Sequence, residues 1–186
     1  MRARLALALL CVACRQDMHD QPKLEPLEAS AFFADGRAMR PKVPGTVARG
    51  ELDLDDHFWR GKVDGQLATT LPAEIPLERK LLERGRERYD IFCAPCHGLV
   101  GDGGGMVVER GMRRPPSLHI ERLRDAPLGY TFDVITNGFG AMYDYSDRIP
   151  PSDRWAIAAY VRALQASQSA TIAEVPADER AKLERN

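Results

Sequence analysis

The pentapeptide Cys93-Ala94-Pro95-Cys96-His97 carries the side chains of this sequence that are best placed to do chemistry. Two thiols at this spacing can form thioethers with the two vinyl groups on one porphyrin edge, and the adjacent imidazole then binds the iron. A zinc site would need two more ligands at matching spacing, and the sequence beyond residue 14 has no second Cys-x-x-Cys and no His-x-x-x-His. A thioredoxin-like redox pair would need a βαβ context, which is missing. The motif therefore predicts one covalent haem c on Cys93 and Cys96, with His97 as an axial iron ligand.

The other cysteines lie near the N-terminus. The sequence has four in all, and Cys11 and Cys14 are the two outside the haem motif. Cys11 falls inside an apparent signal peptide and Cys14 falls at its end. No thiol is left for a structural disulfide, so we expect haem binding and packing to hold the fold.

Residues 1–13 have the features of a secretory signal. A short basic region, residues 1–4, precedes an apolar run from Leu5 to Ala13, and the polar residues 15–17 end it. A helix needs about 20 apolar residues to span a bilayer, so this run is too short to do so. The segment predicts export. Export agrees with haem c, because that haem is attached on the outer side of the cytoplasmic membrane.

The segment Leu10-Cys11-Val12-Ala13-Cys14 is similar to a bacterial lipobox, in which the last cysteine is acylated and becomes the mature N-terminus. Val12 and Ala13 fit that pattern, whereas Cys11 stands where leucine is usual. Ordinary cleavage after Ala13 is the alternative. We favour lipidation of Cys14, because stable anchoring takes more than one acyl chain and an unpaired exposed thiol is a liability in an oxidising compartment.

The charge balance excludes one class of partner. Removal of residues 1–13 takes away Arg2 and Arg4, which leaves 24 basic and 27 acidic residues and a net charge of about −3. The arginine-rich places, Arg84 to Arg88 and Arg113-Arg114, are mixed with acids or lie beside prolines. They predict solvated faces or partners for haem propionates, and we expect no nucleic acid partner.

Residues 14–76 predict an extended arm. This segment is rich in proline and charge, and no helical or period-two pattern persists in it, so it cannot bury enough apolar surface to order itself alone. It nevertheless contains the aromatic pairs Phe32-Phe33 and Phe58-Trp59. We favour these pairs as anchors for a partner protein. The alternative is that they fold back on the haem domain.

Residues 77–168 predict one small, all-α haem domain, followed by a charged tail at residues 169–186. A helix is expected from Leu77 to Ile91 and a closing helix from Ser152 to Gln168, with Ser152 as its N-cap. Gly85 lies on the apolar stripe of the first helix, where glycine costs about 1 kcal/mol relative to alanine. We therefore expect a second helix to approach closely at Gly85.

Two segments after the motif are expected to surround the haem. The glycine run at residues 101–105 lacks the Gly-Lys-Ser/Thr of a phosphate loop and predicts a tight turn around the haem edge. In Arg114-Pro115-Pro116-Ser117-Leu118, a backbone carbonyl is the best candidate to accept a hydrogen bond from His97, and Pro116 and Leu118 are expected to contact the haem. The alternative is that these prolines only end the glycine-rich loop.

The second axial ligand is predicted to be Met142. It follows His97 at a distance that leaves room for a loop, a short helix and a return, and its neighbours Gly138 and Gly140 allow the backbone to approach the ring. A methionine in the core is the alternative. A Met/His pair raises the reduction potential of a haem. The weaker candidates are Met106, Met112, His119 and, in the arm, His19, Met39 and His57.

Taken together, residues 77–168 resemble a class I cytochrome c. The resemblance rests on the first helix, the Cys-Ala-Pro-Cys-His motif, Pro115-Pro116-Ser117-Leu118, the glycine-rich loop that carries Met142, and the closing helix. It implies an all-α fold with His97 and Met142 as the two axial ligands.

A narrower resemblance covers nearly all of the mature sequence. The sequence is similar to the monohaem cytochrome c component of bacterial alternative complex III, which oxidises membrane quinol and passes electrons outward to a terminal oxidase or soluble carrier. The resemblance implies a lipoprotein whose arm binds multihaem and iron–sulfur subunits. The segments that carry it are Gln16–Pro22, Pro26–Glu28, Phe32–Arg37, Gly45–Gly50, Phe132–Met142 and Asp153–Ile157.

The sequence thus predicts an electron-transfer subunit, with no catalysis of its own, on the periplasmic side of the bacterial cytoplasmic membrane. A free, lipid-tethered periplasmic carrier is the first alternative. An open-site haem sensor or enzyme is the second, and binding of carbon monoxide by the reduced protein would distinguish it.

Overall fold

The computed structural model describes residues 18–177 and residue 180. The chain divides into two compact units, Met1–Leu52 and Asp53–Asn186. The signal peptide predicted at residues 1–13 and the acylation site predicted at Cys14 lie outside the described residues, and so does part of the predicted tail. Among the helices that are described, none has both the length and the apolar character needed to cross a membrane.

The first unit is built of turns between residues 18 and 52, with neither a helix nor a strand in that range. Ala29 and Arg37 form an isolated antiparallel bridge that closes one of the turns. Next to it, the guanidinium of Arg40 lies 4.2 Å from the centroid of the Phe33 ring. The irregular backbone predicted for this part of the arm is confirmed.

The second unit is mostly helical, with one small hairpin whose strands pair antiparallel. This confirms the predicted all-α character. In the described residues its elements are α1 (Asp56–Arg60), β1 (Lys62–Val63), β2 (Gln66–Leu67), α2 (Arg79–Phe92), α3 (Ala94–His97), α4 (Met106–Glu109), α5 (Glu121–Arg124), α6 (Leu128–Asn137), α7 (Pro151–Ser169) and a 3₁₀ turn (Ile172–Glu174).

Helices α2 and α7 form the main packing contact of this unit, and they cross at Gly85. A Cβ added at Gly85 would lie 2.1 Å from the carbonyl oxygen of Ala156 and 2.8 Å from the Cβ of Tyr160. No side chain fits in that space, which explains why the helix tolerates a residue with low helix propensity. The close approach predicted from the sequence is confirmed.

The closing helix starts differently from the prediction. Pro150 is the N-cap and Pro151 is the first helical residue, so Ser152 lies inside the first turn and does not cap it. Proline is favoured at the first helical position because its fixed φ suits a helix and its missing N–H would have no partner there. Asp153 lies in the first turn, as expected.

Two apolar clusters form the core, and α7 contributes to both. The first surrounds Tyr89 and Ala94, at the haem motif, and the second surrounds Trp155 and Phe132, whose rings stack 4.5 Å apart. The buried members of the first cluster are Tyr89, Ala94, Ile135, Ile149, Ile157 and Val161, and those of the second are Ala68, Ile75, Phe132, Trp155 and Ala158.

The compact unit begins at Asp53, earlier than the boundary expected at Leu77. Residues 53–76 pack on the helices: the indole of Trp155 donates to the carbonyl of Phe58 at 2.9 Å, and Gly129 N donates to Ala68 O at 2.7 Å. The segment is therefore part of the helical unit, because distant helices supply the buried surface and hydrogen-bond partners that its own sequence lacks. For Phe58 the structure shows the alternative, in which the ring folds back on the domain.

Candidate haem site

The haem motif lies where two helices meet. α2 ends at Phe92, Cys93 follows in helical conformation, and α3 is a single turn with Pro95 near its start. Cys93 O accepts hydrogen bonds from Cys96 N at 3.1 Å and from His97 N at 2.8 Å. Residues three and four apart share one face of a helix, so this turn places the two thiols and the imidazole on the same side.

Both thiols of the motif are free and half-buried. Burial raises the pKa of the Cys93 thiol to about 12, with smaller contributions from Cys96 and Asp90. Among the described residues no cluster of three or more histidine, cysteine or acidic side chains could hold a metal ion, so the motif lacks the further ligands that a zinc site needs.

The side chain of His97 is half-buried. Burial lowers its pKa, and the neutral form is the one that binds metals. Its Nδ1 has no hydrogen-bond partner within the described residues, so the predicted carbonyl acceptor between Arg114 and Leu118 is not found. The carbonyl of Pro115 instead faces Gly103, where an added Cβ would lie 2.4 Å from its oxygen. Nδ1 of His97 is thus a buried polar atom without a hydrogen-bond partner among the described residues.

The glycine run turns tightly against the motif, as predicted. Gly103 N donates to His97 O at 2.8 Å, and Gly105 N donates to Cys96 O at 3.2 Å. A Cβ at Gly105 would lie 2.3 Å from the carbonyl oxygen of Pro95. Only glycine allows this approach, so the run holds the backbone of both Cys96 and His97.

Leu118 and Pro116 lie in different surroundings. Leu118 is half-buried and packs on the cluster that contains Ala94. Its amide donates to Gly101 O at 2.8 Å, and its carbonyl accepts from the side chain of Gln165 at 2.7 Å. Pro116 is exposed. Leu118 is therefore well placed to pack on a group bound at the motif, and the haem contacts of both residues stay predictions.

Met142 lies in the loop that connects α6 to α7, residues 138–150, and its side chain is half-buried. Met142 and Phe139 exchange two backbone hydrogen bonds, both 3.0 Å long, around a turn in which Gly140 has a φ of 60°. Positive φ at the first central residue is typical of a type II′ turn and favours glycine. The carbonyl of Met142 also closes on Gly138, where a Cβ would lie 2.6 Å from its oxygen.

Tyr145 connects this loop to the motif, a contact that was not predicted from the sequence. Its ring centroid lies 6.4 Å from that of Phe92. Burial raises the pKa of Tyr145, and the nearby thiols of Cys96 and Cys93 raise it further. The loop that carries Met142 therefore passes beside the two haem-attachment residues. An aromatic residue in an otherwise polar stretch was the one sequence signal for this contact.

Two of the histidines considered as alternative ligands are engaged elsewhere. His119 Nε2 lies 2.6 Å from the carbonyl oxygen of Val100. His57 Nε2 lies 2.9 Å from the carbonyl oxygen of Thr70, and its ring meets the Trp155 ring edge-on. A ligating histidine commonly donates its second ring nitrogen to such a carbonyl, so the preference for Met142 rests on its position in the glycine-rich loop and not on these contacts. His19 and Met39 lie in the first unit.

Met112 lies beside the motif, with its sulfur 3.9 Å from the sulfur of Cys96. Cys96 would hold the porphyrin rim, so Met112 would lie beside an attachment residue of the haem. Its side chain is 57% exposed. Met106 is exposed as well. Met142 remains the predicted sixth ligand.

The residues at this site fit a covalently bound haem. Two free thiols and an imidazole of lowered pKa share one helical face, Nδ1 of that imidazole is buried without a partner in the described part of the chain, and a glycine run packs against the backbone of the motif. Cys93 and Cys96 would hold the haem edge and His97 would bind the iron.

Comparison with known protein families agrees with this assignment. Residues 80–161, less than half of the chain, match the family model described as cytochrome c oxidase, cbb3-type, subunit III. No curated protein matches the chain.

Among solved structures, the reducing HAO-like protein complex of Kuenenia stuttgartiensis contains a similar chain. That chain is 18% identical to this one, with a TM-score of 0.44, and the match covers 59% of this chain and 54% of that chain.

The family match extends from α2 through the haem motif and the Met142 loop into α7, and the helical architecture agrees with it. The match therefore indicates a c-type cytochrome domain at residues 80–161, and the mostly helical architecture agrees with the class I cytochrome c fold.

Proposed function

We propose that the protein transfers single electrons within alternative complex III, from a reduced redox centre in a partner subunit towards a terminal oxidase or a soluble carrier. The observation that carries the electron-transfer role is the haem motif itself, folded with a half-buried His97 of lowered pKa and two free thiols in a mostly helical unit. The assignment to this complex rests on the resemblance of the arm and of the Met142 loop described above.

The bound haem iron supplies a one-electron carrier when it is in place. The chain's own residues fix its position and its potential. His97 would provide a nitrogen ligand from a helical turn, and Met142 would provide a thioether sulfur as the second ligand, which would raise the potential and close the iron to oxygen. The low-dielectric core around Tyr89 and Ile157 also affects the potential.

The arm is proposed to bind the partner subunits. Within the first unit, Phe32 is 86% exposed although it sits in an ordered turn, where its ring meets Phe33 edge-on at 4.9 Å. Arg40 lies over the Phe33 ring and pairs with Asp35 at 2.6 Å. A rigidly presented aromatic ring loses little entropy when it is buried in a partner pocket, which is typical of interface hot spots.

We also propose that the protein is exported and that Cys14 is acylated. The signal at residues 1–13 would direct the chain across the cytoplasmic membrane, and a lipid on Cys14 would hold it at the periplasmic face. Mass spectrometry of the mature N-terminus tests this directly. An acylated Cys14 supports the anchor, whereas an unmodified residue 14 at the N-terminus supports ordinary cleavage after Ala13.

Complex membership is tested by gentle detergent solubilisation and affinity purification of the tagged protein, followed by haem staining and mass spectrometry. We expect a multihaem cytochrome, an iron–sulfur subunit and polytopic quinol-site subunits to purify with it. Recovery of a lone haem protein, while other respiratory complexes stay intact, would contradict the proposal and favour the tethered carrier.

A pair of variants tests whether Phe32 of the arm contacts the partner subunits. We expect Phe32→Ala to reduce the recovery of partner subunits while the haem stays attached. Ile172→Ala removes an exposed apolar side chain outside the arm and serves as the matched control. Equal recovery with both variants would exclude Phe32 as an anchor.

A further inference from the structure

Arg154 is a buried arginine that pairs with no acid among the described residues. Its side chain is 5% exposed, and burial lowers its pKa. The adjacent Asp153 does not compensate its charge, because that carboxylate faces α2 and accepts two 2.8 Å hydrogen bonds from Arg84. A buried charge without an ion-pair partner is costly unless hydrogen bonds offset the cost.

The hydrogen bonds of Arg154 go to the two ends of the loop that carries Met142. Its Nε donates to the carbonyl of Ile149 at 2.9 Å, just before α7. Its Nη1 donates to the hydroxyl of Thr136 at 2.6 Å, in the last turn of α6. That hydroxyl donates in turn to the carbonyl of Phe132 at 2.7 Å. One rigid side chain therefore connects the start of the loop to its end.

The shape of the guanidinium suits this role. A planar fork can direct two donors at two acceptors at once, which a lysine ammonium on a flexible stem does not reproduce. The guanidinium carbon also lies 5.0 Å from the centroid of the buried Phe132 ring. The ring and the two acceptors together fix the orientation of Arg154.

We propose that Arg154 is a positioning residue for Met142: by holding both ends of residues 137–149, it keeps the methionine sulfur at the sixth coordination position of the haem iron. This inference rests on the proposed axial role of Met142. Arg154 does not touch the iron and acts through the loop.

The test compares Arg154→Met with Arg162→Met in the full-length, haem-loaded protein. Arg162 is a matched control because it lies on the same helix, is partly buried with a lowered pKa, and also donates to backbone carbonyls. Its backbone acceptors include Arg124, the last residue of α5, and Ala126, which lies between α5 and α6, away from the Met142 loop. Both variants lose hydrogen bonds from a charged donor, so both should lose stability.

Two readouts separate positioning from general stability: the long-wavelength charge-transfer band of methionine-ligated ferric haem, and the apparent affinity of the ferric haem for added imidazole. Since each hydrogen bond from a charged donor is worth roughly a factor of ten in an equilibrium, we expect Arg154→Met to bind imidazole about tenfold tighter or more and to weaken the band. Arg162→Met should change neither. Equal effects of the two variants would overturn the proposal.

Thr136→Val gives a second test in case Arg154→Met does not fold, because it removes one acceptor and leaves the guanidinium in place. We expect Thr136→Val to bind imidazole more tightly than the wild type does, with a smaller increase in affinity than in Arg154→Met. An unchanged imidazole affinity in Thr136→Val would count against the proposal. Met142→Leu identifies the ligand itself: if the band survives in that variant, the axial assignment fails, and this outcome is distinct from a failure of the Arg154 role alone.

Discussion

Around His97 the chain is held by its own backbone, whereas the loop around Met142 combines backbone turns with one arginine side chain that bridges its two ends. On the His97 side, α2 runs directly into the motif, and the glycine run donates backbone hydrogen bonds to Cys96 and His97. On the Met142 side, a turn of two backbone hydrogen bonds lies in a loop whose ends meet at Arg154.

This difference predicts unequal sensitivity of the two axial positions. Covalent attachment and a rigid backbone make His97 hard to displace by a substitution at a distance. Met142 has no covalent bond to the haem and depends on loop geometry. Single substitutions in the loop or at its ends should therefore release the methionine while the haem stays attached.

The largest effect is expected at the attachment residues. Replacing both Cys93 and Cys96 by serine removes the two atoms that can form thioethers, so we expect complete loss of haem that survives denaturing electrophoresis. Haem staining of the gel measures it. Met112→Leu, which changes a side chain in contact with Cys96 but supplies no bond to haem, is the control and should keep the haem. Covalent haem in the double variant would refute the attachment model.

The next largest effect is expected at the helix crossing that supports the His97 side. Gly85→Leu would force α2 away from the Ala156 carbonyl, and overpacking of this kind costs about 3 kcal/mol. Chemical denaturation of the haem-loaded protein measures the loss. Lys80→Ala on the exposed face of α2 should stay within about 0.5 kcal/mol of the wild type. A tolerated leucine at position 85 would contradict the close crossing.

A moderate effect is expected where residues 53–76 join the helical unit. Trp155→Phe leaves the carbonyl of Phe58 without its donor, which should cost about 2 kcal/mol and increase protease cleavage between residues 53 and 76. Trp59→Phe is the matched control, because the Trp59 side chain is 37% exposed. If both variants are cleaved equally, the segment does not depend on the helical unit.

The smallest effect is expected from two glycine substitutions inside the Met142 loop. They test the geometry of the loop and leave Arg154 unchanged. Gly138→Ala and Gly140→Ala both place alanine at positive φ, at a cost of about 1–2 kcal/mol each. At Gly138, however, the new Cβ would also displace the carbonyl of Met142, whereas none of the described atoms lies within 4 Å at Gly140.

We therefore expect Gly138→Ala to lower stability more than Gly140→Ala does and also to weaken the methionine charge-transfer band more. Absorption spectroscopy of the two ferric variants provides the comparison. A band that is weakened equally by both would show that turn strain alone controls the ligand.

The sequence was sufficient for features that depend on local spacing. The Cys93–His97 turn was predicted from the chemistry of cysteine and histidine. The tight glycine run and the crossing at Gly85 were predicted from the small size of glycine. The predicted helices were off by one or two residues at their ends, as at Pro151, because capping depends on which hydrogen-bond donors lack partners.

Features that depend on distant contacts could not be read from the sequence. Residues 53–76 have no amphipathic pattern, and their partners lie far along the chain, in α6 and α7. Arg154 is an arginine on a helix, for which an exposed position is the usual expectation. The burial of Arg154 is evident only in the folded structure, where Ile149 and Thr136 both accept hydrogen bonds from it. The acceptor expected for His97 was not found because Pro115 packs against Gly103.

The most direct test of methionine ligation is the reaction of the reduced, haem-loaded protein with carbon monoxide, followed by absorption spectroscopy. If Met142 occupies the sixth position, the spectrum of the wild type should not change, and that of Met142→Leu should change to that of a carbon monoxide complex. Carbon monoxide binding by the wild type would contradict methionine ligation and favour a haem with an open distal site.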